Sequence, residues 1–334
     1  MPNQYVLMRG DTLSQGRYRI LNQIALPEPQ QRQGAAWTAI DMQASRVRVV
    51  IREVVVPQAM ARVFSVSHVV SAAVQRVRTL ERYEGFPQVI DLFSEEGANF
   101  MVLLYPEGES LAALLNRQSG ALPEPVVAEY GYQLCGLLAV LADQQPPIIH
   151  GSINPETIII REDIQRASLI HLPLFPPEVL STGAQKVSSG YYAPEQAHGE
   201  VDLSSDLYGL AATMYHAVTG YSPQERLTFF HPPARRLNPT VTKQMEMILA
   251  RQLSLSKSQR YTHPIEMQKD LAGLIESYPD STNIESSTSV GDPLRLSVAQ
   301  YGEQMRSVTL LNMGVFAAIS VLLLVIVLLV IIRP

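Results

Sequence analysis

The chain has 334 residues, with 26 Lys and Arg against 31 Asp and Glu for a formal net charge of −5, which excludes a nucleic-acid binder working through bulk positive charge. Hydrophobic residues make up 46% and charged residues 17%, a balance opposite to that of a disordered chain. A single cysteine, Cys135, excludes an intrachain disulfide framework and a multi-cysteine zinc site.

From Tyr18 to Val56 the runs RYRIL, AAWTAID and RVRVVIREVVV are rich in β-branched residues, and LPEPQQRQG breaks the first two apart. They predict an antiparallel meander. A helix is predicted over Ser67 to Tyr83, where Val70, Val74, Val77 and Leu80 fall on one face. Two further strands, QVIDLF and NFMVLLY, flank a turn at Glu95, Glu96 and Gly97, so five strands and one helix are expected in a first lobe. After Gly108 the patterns turn helical, in LAALLNRQ, in the long run PVVAEYGYQLCGLLAVLADQQ, and in LYGLAATMYHAV at Leu207 to Val218. That last run is apolar almost all round, as a central buried helix requires. A small β-rich lobe followed by a larger helical lobe is the α+β class, with a natural cleft between the lobes. No internal repeat is apparent.

Residues 277–312 are polar, with weak apolar periodicity, and read as a juxtamembrane linker. Met313 to Ile332 then runs for twenty positions without a charge. As a helix it would be roughly 30 Å long, the thickness of a bilayer's hydrocarbon layer, and it reads as a membrane span. Within it, Gly314 and Ala318 form a weak helix-dimerisation signal. The first residues lack the apolar stretch of a signal peptide, so the expected arrangement is a single-pass C-terminal anchor with the folded body in the cytoplasm.

Three motifs carry chemistry. They are HGSINPET at His150 to Thr157, GYYAPEQ at Gly190 to Gln196 followed by SSDLYGLAATMYHAVTG, and SQRYTHPIEM from Ser258. In this order they resemble the bacterial Ser/Thr protein kinase family over residues 11–276, with an N-lobe at about 11–107 and a C-lobe at about 108–276. The resemblance implies a two-lobed protein-kinase-like fold. It also implies that Glu195 pairs with Arg260 to fasten the activation segment, and that Asp206 supports the loop at His150 through backbone N–H groups. Such an acid is expected to be stabilised as the anion.

The positions where the family keeps its chemistry are altered. Ser152, Asn154 and Thr157 stand where the resemblance places the general base, the lysine and the metal-binding asparagine, and His171 stands where it places the magnesium-binding aspartate. A serine hydroxyl is no general base at neutral pH, and an imidazole is a poor ligand for Mg²⁺, which takes hard oxygen donors. His171 is read as either a satisfied core histidine or a new ligand. Glu156, Glu162 and Asp163 are read as either solvated surface or a displaced metal site.

The nucleotide cleft departs as well. Arg52 replaces the family's lysine, Val50 is bulkier than its alanine, and Ala72 and Ala73 stand near the position of the glutamate that would pair with the lysine. The segment Ile24 to Gln30 lacks the phosphate-approaching glycines and contains Pro27 and Pro29. In the hinge, Phe100 to Gly108, Leu103 and Leu104 line the cleft, and Pro106 falls where a backbone N–H would meet adenine.

Together these departures imply no catalytic residue of the usual kind, no metal site and no cofactor, and thus a non-catalytic scaffold or regulator at a membrane. Its partners would be proteins, such as active kinases or envelope proteins, and not nucleic acid. The alternatives are a divergent kinase that uses ATP and Mg, or a nucleotide sensor that needs no metal.

Overall fold

The computed structural model describes residues 7–25, 34–104, 107–118, 120–176, 190–223 and 229–278. The segment at 26–33, Tyr105 and Pro106, most of the linker and the apolar run Met313 to Ile332 lie outside the described residues.

The small lobe is an antiparallel sheet of six strands, β1 (Thr12–Leu13), β2 (Tyr18–Ala25), β3 (Ala36–Asp41), β4 (Val47–Glu53), β5 (Val89–Glu95) and β6 (Ala98–Leu104), in the order β1-β2-β3-β4-β6-β5. The five strands expected from sequence are joined by β1, a two-residue pairing too short to show a pattern. Strand β2 also runs beyond Leu21 to Ala25, through two register shifts against β3. On β4, Val49 and Ile51 pack with Trp37, Phe100 and Val102 in one cluster, while Val50 joins the main core on the other face. Both faces are therefore buried at the middle of β4, where Val49, Val50 and Ile51 run without a polar break.

Two helices, α1 (Gln58–Ala61) and α2 (Val66–Arg78), follow β4. Val70, Val74 and Val77 of α2 are buried, as their spacing predicts, and so is Leu80 in the turn beyond it. The helix stops at Arg78, short of the Tyr83 expected from sequence.

The large lobe begins with β7 (Glu109–Ser110), α3 (Leu111–Gln118) and α4 (Glu124–Ala142). Strand β7 pairs with β8 (Ile158–Arg161), which pairs with β9 (Arg166–Leu169), in a three-stranded sheet. Gly108 makes the first of these pairings possible. It has φ +112°, and an added Cβ would lie 2.2 Å from the Ile160 carbonyl oxygen.

Helix α5 (Leu203–Thr219) is buried along nearly its whole length, and α6 (Ala234–Leu237), α7 (Lys243–Gln252) and α8 (Pro264–Glu276) complete the lobe. Asp202 caps α5 by accepting from the Ser204 and Ser205 N–H groups, and Gly220 ends it in the left-handed conformation. Among the described residues, α4 alone is long and apolar enough to cross a membrane, but Leu134, Leu138 and Leu141 bury it in the core against α5 and α8.

Glu124, at the start of α4, ties three elements together. Its carboxylate accepts from the N–H and hydroxyl of Thr242 at 2.6 and 2.7 Å and from the Tyr278 hydroxyl at 2.7 Å. Tyr278 packs against the large-lobe core, so the first two residues assigned to the linker, Ser277 and Tyr278, belong structurally to the folded body.

Cys135 is fully buried on α4, and burial pushes its thiol well above the usual range. Maleimide should therefore label the native chain only as fast as the large lobe opens, and label it completely in denaturant. Rapid labelling of native protein, followed by mass spectrometry, would contradict this placement.

Candidate functional site

The site lies between the lobes, where the loop from His150 to Thr157, the segment after β9, and strands β4 and β6 meet. Asp206, one turn into α5, anchors the loop. Its two carboxylate oxygens accept from the His150 and Gly151 N–H groups at 2.7 and 2.6 Å. Gly151 has φ +74°, which turns the chain so that both N–H groups reach one carboxylate.

The expectation that Asp206 is stabilised as the anion needs correction. The two donors do favour the charged form, but burial outweighs them and raises the carboxyl pKa to about 7. The side chain keeps its structural position, and its charge depends on pH within the physiological range.

The His150 ring extends this anchor. Its Nε2–H donates to the Ile170 carbonyl at 2.8 Å, since a carbonyl only accepts, which leaves Nδ1 as the acceptor facing Ser152. Burial above all, with smaller contributions from nearby His171 and Arg52, lowers the His150 pKa to about 4. His171 is partly buried and shifts to about 4 as well, through burial and then Arg52. Both imidazoles are neutral at pH 7. His171 also has φ +63°, a left-handed backbone uncommon for a residue bearing a Cβ.

The altered loop residues engage their own backbone. The Thr157 hydroxyl lies 3.2 Å from the Ser152 carbonyl and 3.0 Å from the Asn154 carbonyl, and accepts from the Asn154 N–H at 3.1 Å. The Asn154 amide donates to the Ser152 carbonyl at 3.0 Å and accepts from the Glu156 N–H at 2.8 Å, as in an Asx turn. The Ser152 hydroxyl has His150 Nδ1 at 3.4 Å, a long contact. The Asn154 and Thr157 side chains thus brace the loop from within.

Across the cleft, Arg52 is buried, and burial lowers its pKa to about 10, still protonated at neutral pH. Its Nη1 donates to the Leu172 carbonyl at 2.6 Å. Val50 pairs with Leu103 across β4 and β6, and both lie in the main core beside α2. Leu104 is buried at the end of β6, while Pro106 lies outside the described residues. On α2, Ala73 is buried and Ala72 exposed.

Two of the three carboxylates weighed as a displaced metal site, Glu162 and Asp163, face arginines. Glu162 accepts from Arg117 at 2.5 Å, and Asp163 accepts from Arg161 at 3.1 Å. Among the described residues no group of three His, Cys, Asp or Glu side chains is placed to hold a metal ion. His171 is thus a neutral imidazole, Asn154 turns its amide onto its own loop, and the Thr157 hydroxyl lies between two carbonyls.

On the far side, Arg260 donates to both carboxylate oxygens of Glu195, at 2.8 and 3.1 Å, and to the Ser254 carbonyl at 2.8 Å. The Ser205 hydroxyl donates to Glu195 as well. Gln196 was not singled out in the sequence, yet it links two motifs. Its amide donates to the Gly151 carbonyl at 2.9 Å, and its carbonyl accepts from the Ala193 N–H at 2.9 Å. Its place beside Glu195 was the only signal available in the sequence.

Compared with known proteins, the chain matches no family model. It is 29% identical over 217 residues to the Ser/Thr protein kinase PknA of Nostoc, covering 60% of this chain and 37% of that protein. It is 27% identical over 191 residues to PknL of Mycobacterium tuberculosis, covering 53% and 47%. The chain thus spans less than half the length of these curated relatives. The crystal structure of the Mycobacterium tuberculosis PknI kinase domain superposes with a TM-score of 0.57 at 18% identity, covering 80% of this chain and 99% of that one. The fold is that of a protein kinase, with a curled β-sheet lobe and a helical lobe. The chain carries a Ser/Thr protein-kinase-like domain whose relatives are bacterial Ser/Thr protein kinases.

Two outcomes follow from this geometry. Glu195→Gln leaves the fully buried Arg260 without its counter-charge and should cost about 3–5 kcal/mol in urea unfolding. Asp206, with its folded pKa raised above the ordinary value, contributes stability that is present at low pH and lost as pH rises through about 7. Wild type should therefore lose stability between pH 4.5 and 7.5 relative to Asp206→Asn, as urea midpoints at the two pH values would record.

Proposed function

We propose that the chain is a membrane-anchored pseudokinase. In this reading the kinase-like body docks or regulates protein partners without turnover, and Met313 to Ile332 holds it at the membrane with the body in the cytoplasm. Tethering raises its effective concentration near other membrane-bound proteins, active kinases and envelope proteins among them.

The observation that carries the reading is the state of the loop from His150 to Thr157. Asn154 and Thr157 bond to the loop's own backbone, while Asp206 and Gln196 hold the same loop from outside through the His150 and Gly151 N–H groups and the Gly151 carbonyl. Phosphoryl transfer depends on positioning and on neutralising phosphate charge, and the groups expected to hold the metal for that task differ here in chemical type. His171, neutral at pH 7, offers nitrogen where hard oxygen is needed.

A second reading is favoured by the relatives, which bear the names of Ser/Thr protein kinases. In it the chain binds ATP with Mg and transfers phosphate by an unusual arrangement of the same cleft. A metal-independent nucleotide sensor stands between the two.

A thermal-shift titration separates the three. A ligand at a hundred times its dissociation constant stabilises a protein by about 2.7 kcal/mol, a readily measured change in Tm. The scaffold reading expects no shift with ATP, alone or with Mg²⁺ or Mn²⁺. A shift without added metal supports the sensor, and a metal-dependent shift with labelled phosphate on a generic substrate supports the kinase.

A further inference from the structure

Arg52 sits on β4 of the small lobe, yet the group its Nη1 meets is the Leu172 carbonyl, 120 residues away on the segment that leaves β9. Only 6% of the residue is exposed. A guanidinium bonded to a carbonyl in such a setting makes a charge-assisted hydrogen bond strengthened by the low local dielectric. Its donors also radiate from a rigid plane, which fixes direction in a way that an ammonium point charge does not.

Two features of the acceptor segment fit a contact of this kind. His171, just before Leu172, is held at φ +63°, a conformation that persists in a Cβ-bearing residue where the surroundings over-determine it. The Leu172 side chain is buried in the main core, which spans both lobes, so the segment is gripped through its side chain as well as its carbonyl. Other ties between the lobes lie around α2 and the loop after it, and Glu107 pairs with Arg161 where the lobes join. The Leu169 N–H donates to the Gly85 carbonyl at 2.8 Å, and Arg76 donates to the Pro147 carbonyl at 3.2 Å. The Arg52 contact is made from the sheet itself.

We infer that Arg52 is an interlobe latch: its guanidinium clamps the segment at His171 to Leu172 onto β4 and holds the two lobes closed without any ligand in the cleft. The role is a positioning one, and it rests on the reading of the cleft as a non-catalytic junction that has no need to open and close.

Paired spin labels on the full chain in nanodiscs test the latch, at Ser45→Cys in the exposed turn between β3 and β4 and Lys269→Cys on the exposed face of α8. Buried Cys135 stays unlabelled under native conditions. With Arg52 the distance distribution should be narrow. Arg52→Met, which keeps the length and loses the donors, should at least double its width and speed amide exchange at His171, Leu172 and Leu174 about tenfold. Arg52→Lys should fall between, and it carries the test alone if the methionine variant does not fold. Widths and exchange rates within twofold of wild type in a folded variant overturn the latch. ATP-dependent turnover by wild type with an unchanged distribution would overturn the scaffold reading and leave the latch standing.

Discussion

One buried carboxylate sets the frame of the site. Asp206 lies on α5, the most enclosed helix of the large lobe, and receives the N–H groups of His150 and Gly151. From there the geometry propagates by hydrogen bonds. The His150 ring reaches the Ile170 carbonyl, and the Gly151 carbonyl receives the Gln196 amide. Three separate stretches of chain are thus referenced to one point on a rigid helix. Backbone donors satisfy a buried polar group at fixed geometry, and leaving them unpaired in the interior would be costly.

The second anchor, Arg260 with Glu195, works at the opposite edge of the same frame. Its guanidinium side chain is fully buried and forked onto the carboxylate, so it specifies direction as well as attraction. Whether such a pair adds net stability depends on the cost of desolvating it, but removing one member leaves a buried charge. The architecture that these two anchors hold is that of a protein kinase.

Inside the cleft, polar groups have turned toward local partners. Asn154 and Thr157 close a short turn, and the imidazoles of His150 and His171 are neutral at pH 7 because burial and Arg52 disfavour their protonation. Arg52 itself contributes to the junction between the lobes through the Leu172 carbonyl. A single cation thereby shifts its neighbours' protonation and spans the cleft.

Much of this was legible in the amino-acid order. Alternating β-branched runs marked the strands, the run LAALLNRQ coincides with α3, and the apolar stretch at Leu207 to Val218 lies inside α5. These signals are local, since periodicity reports which face of an element meets the core. The motif order also placed Glu195, Asp206 and Arg260 in one architecture. What tertiary structure alone decided was everything that depends on depth or on a backbone partner. The donors around Asp206 pointed to an anion, and only the enclosure by α5 and its neighbours raised its pKa to about 7. Gln196 and Arg52 each bond to a carbonyl, a group every residue carries, so no residue type announces the partner. Sequence thus determined the elements and the frame, because side-chain pattern encodes them. The charge states and the bridging across the cleft came from packing, because burial and backbone contacts exist only once distant segments have met.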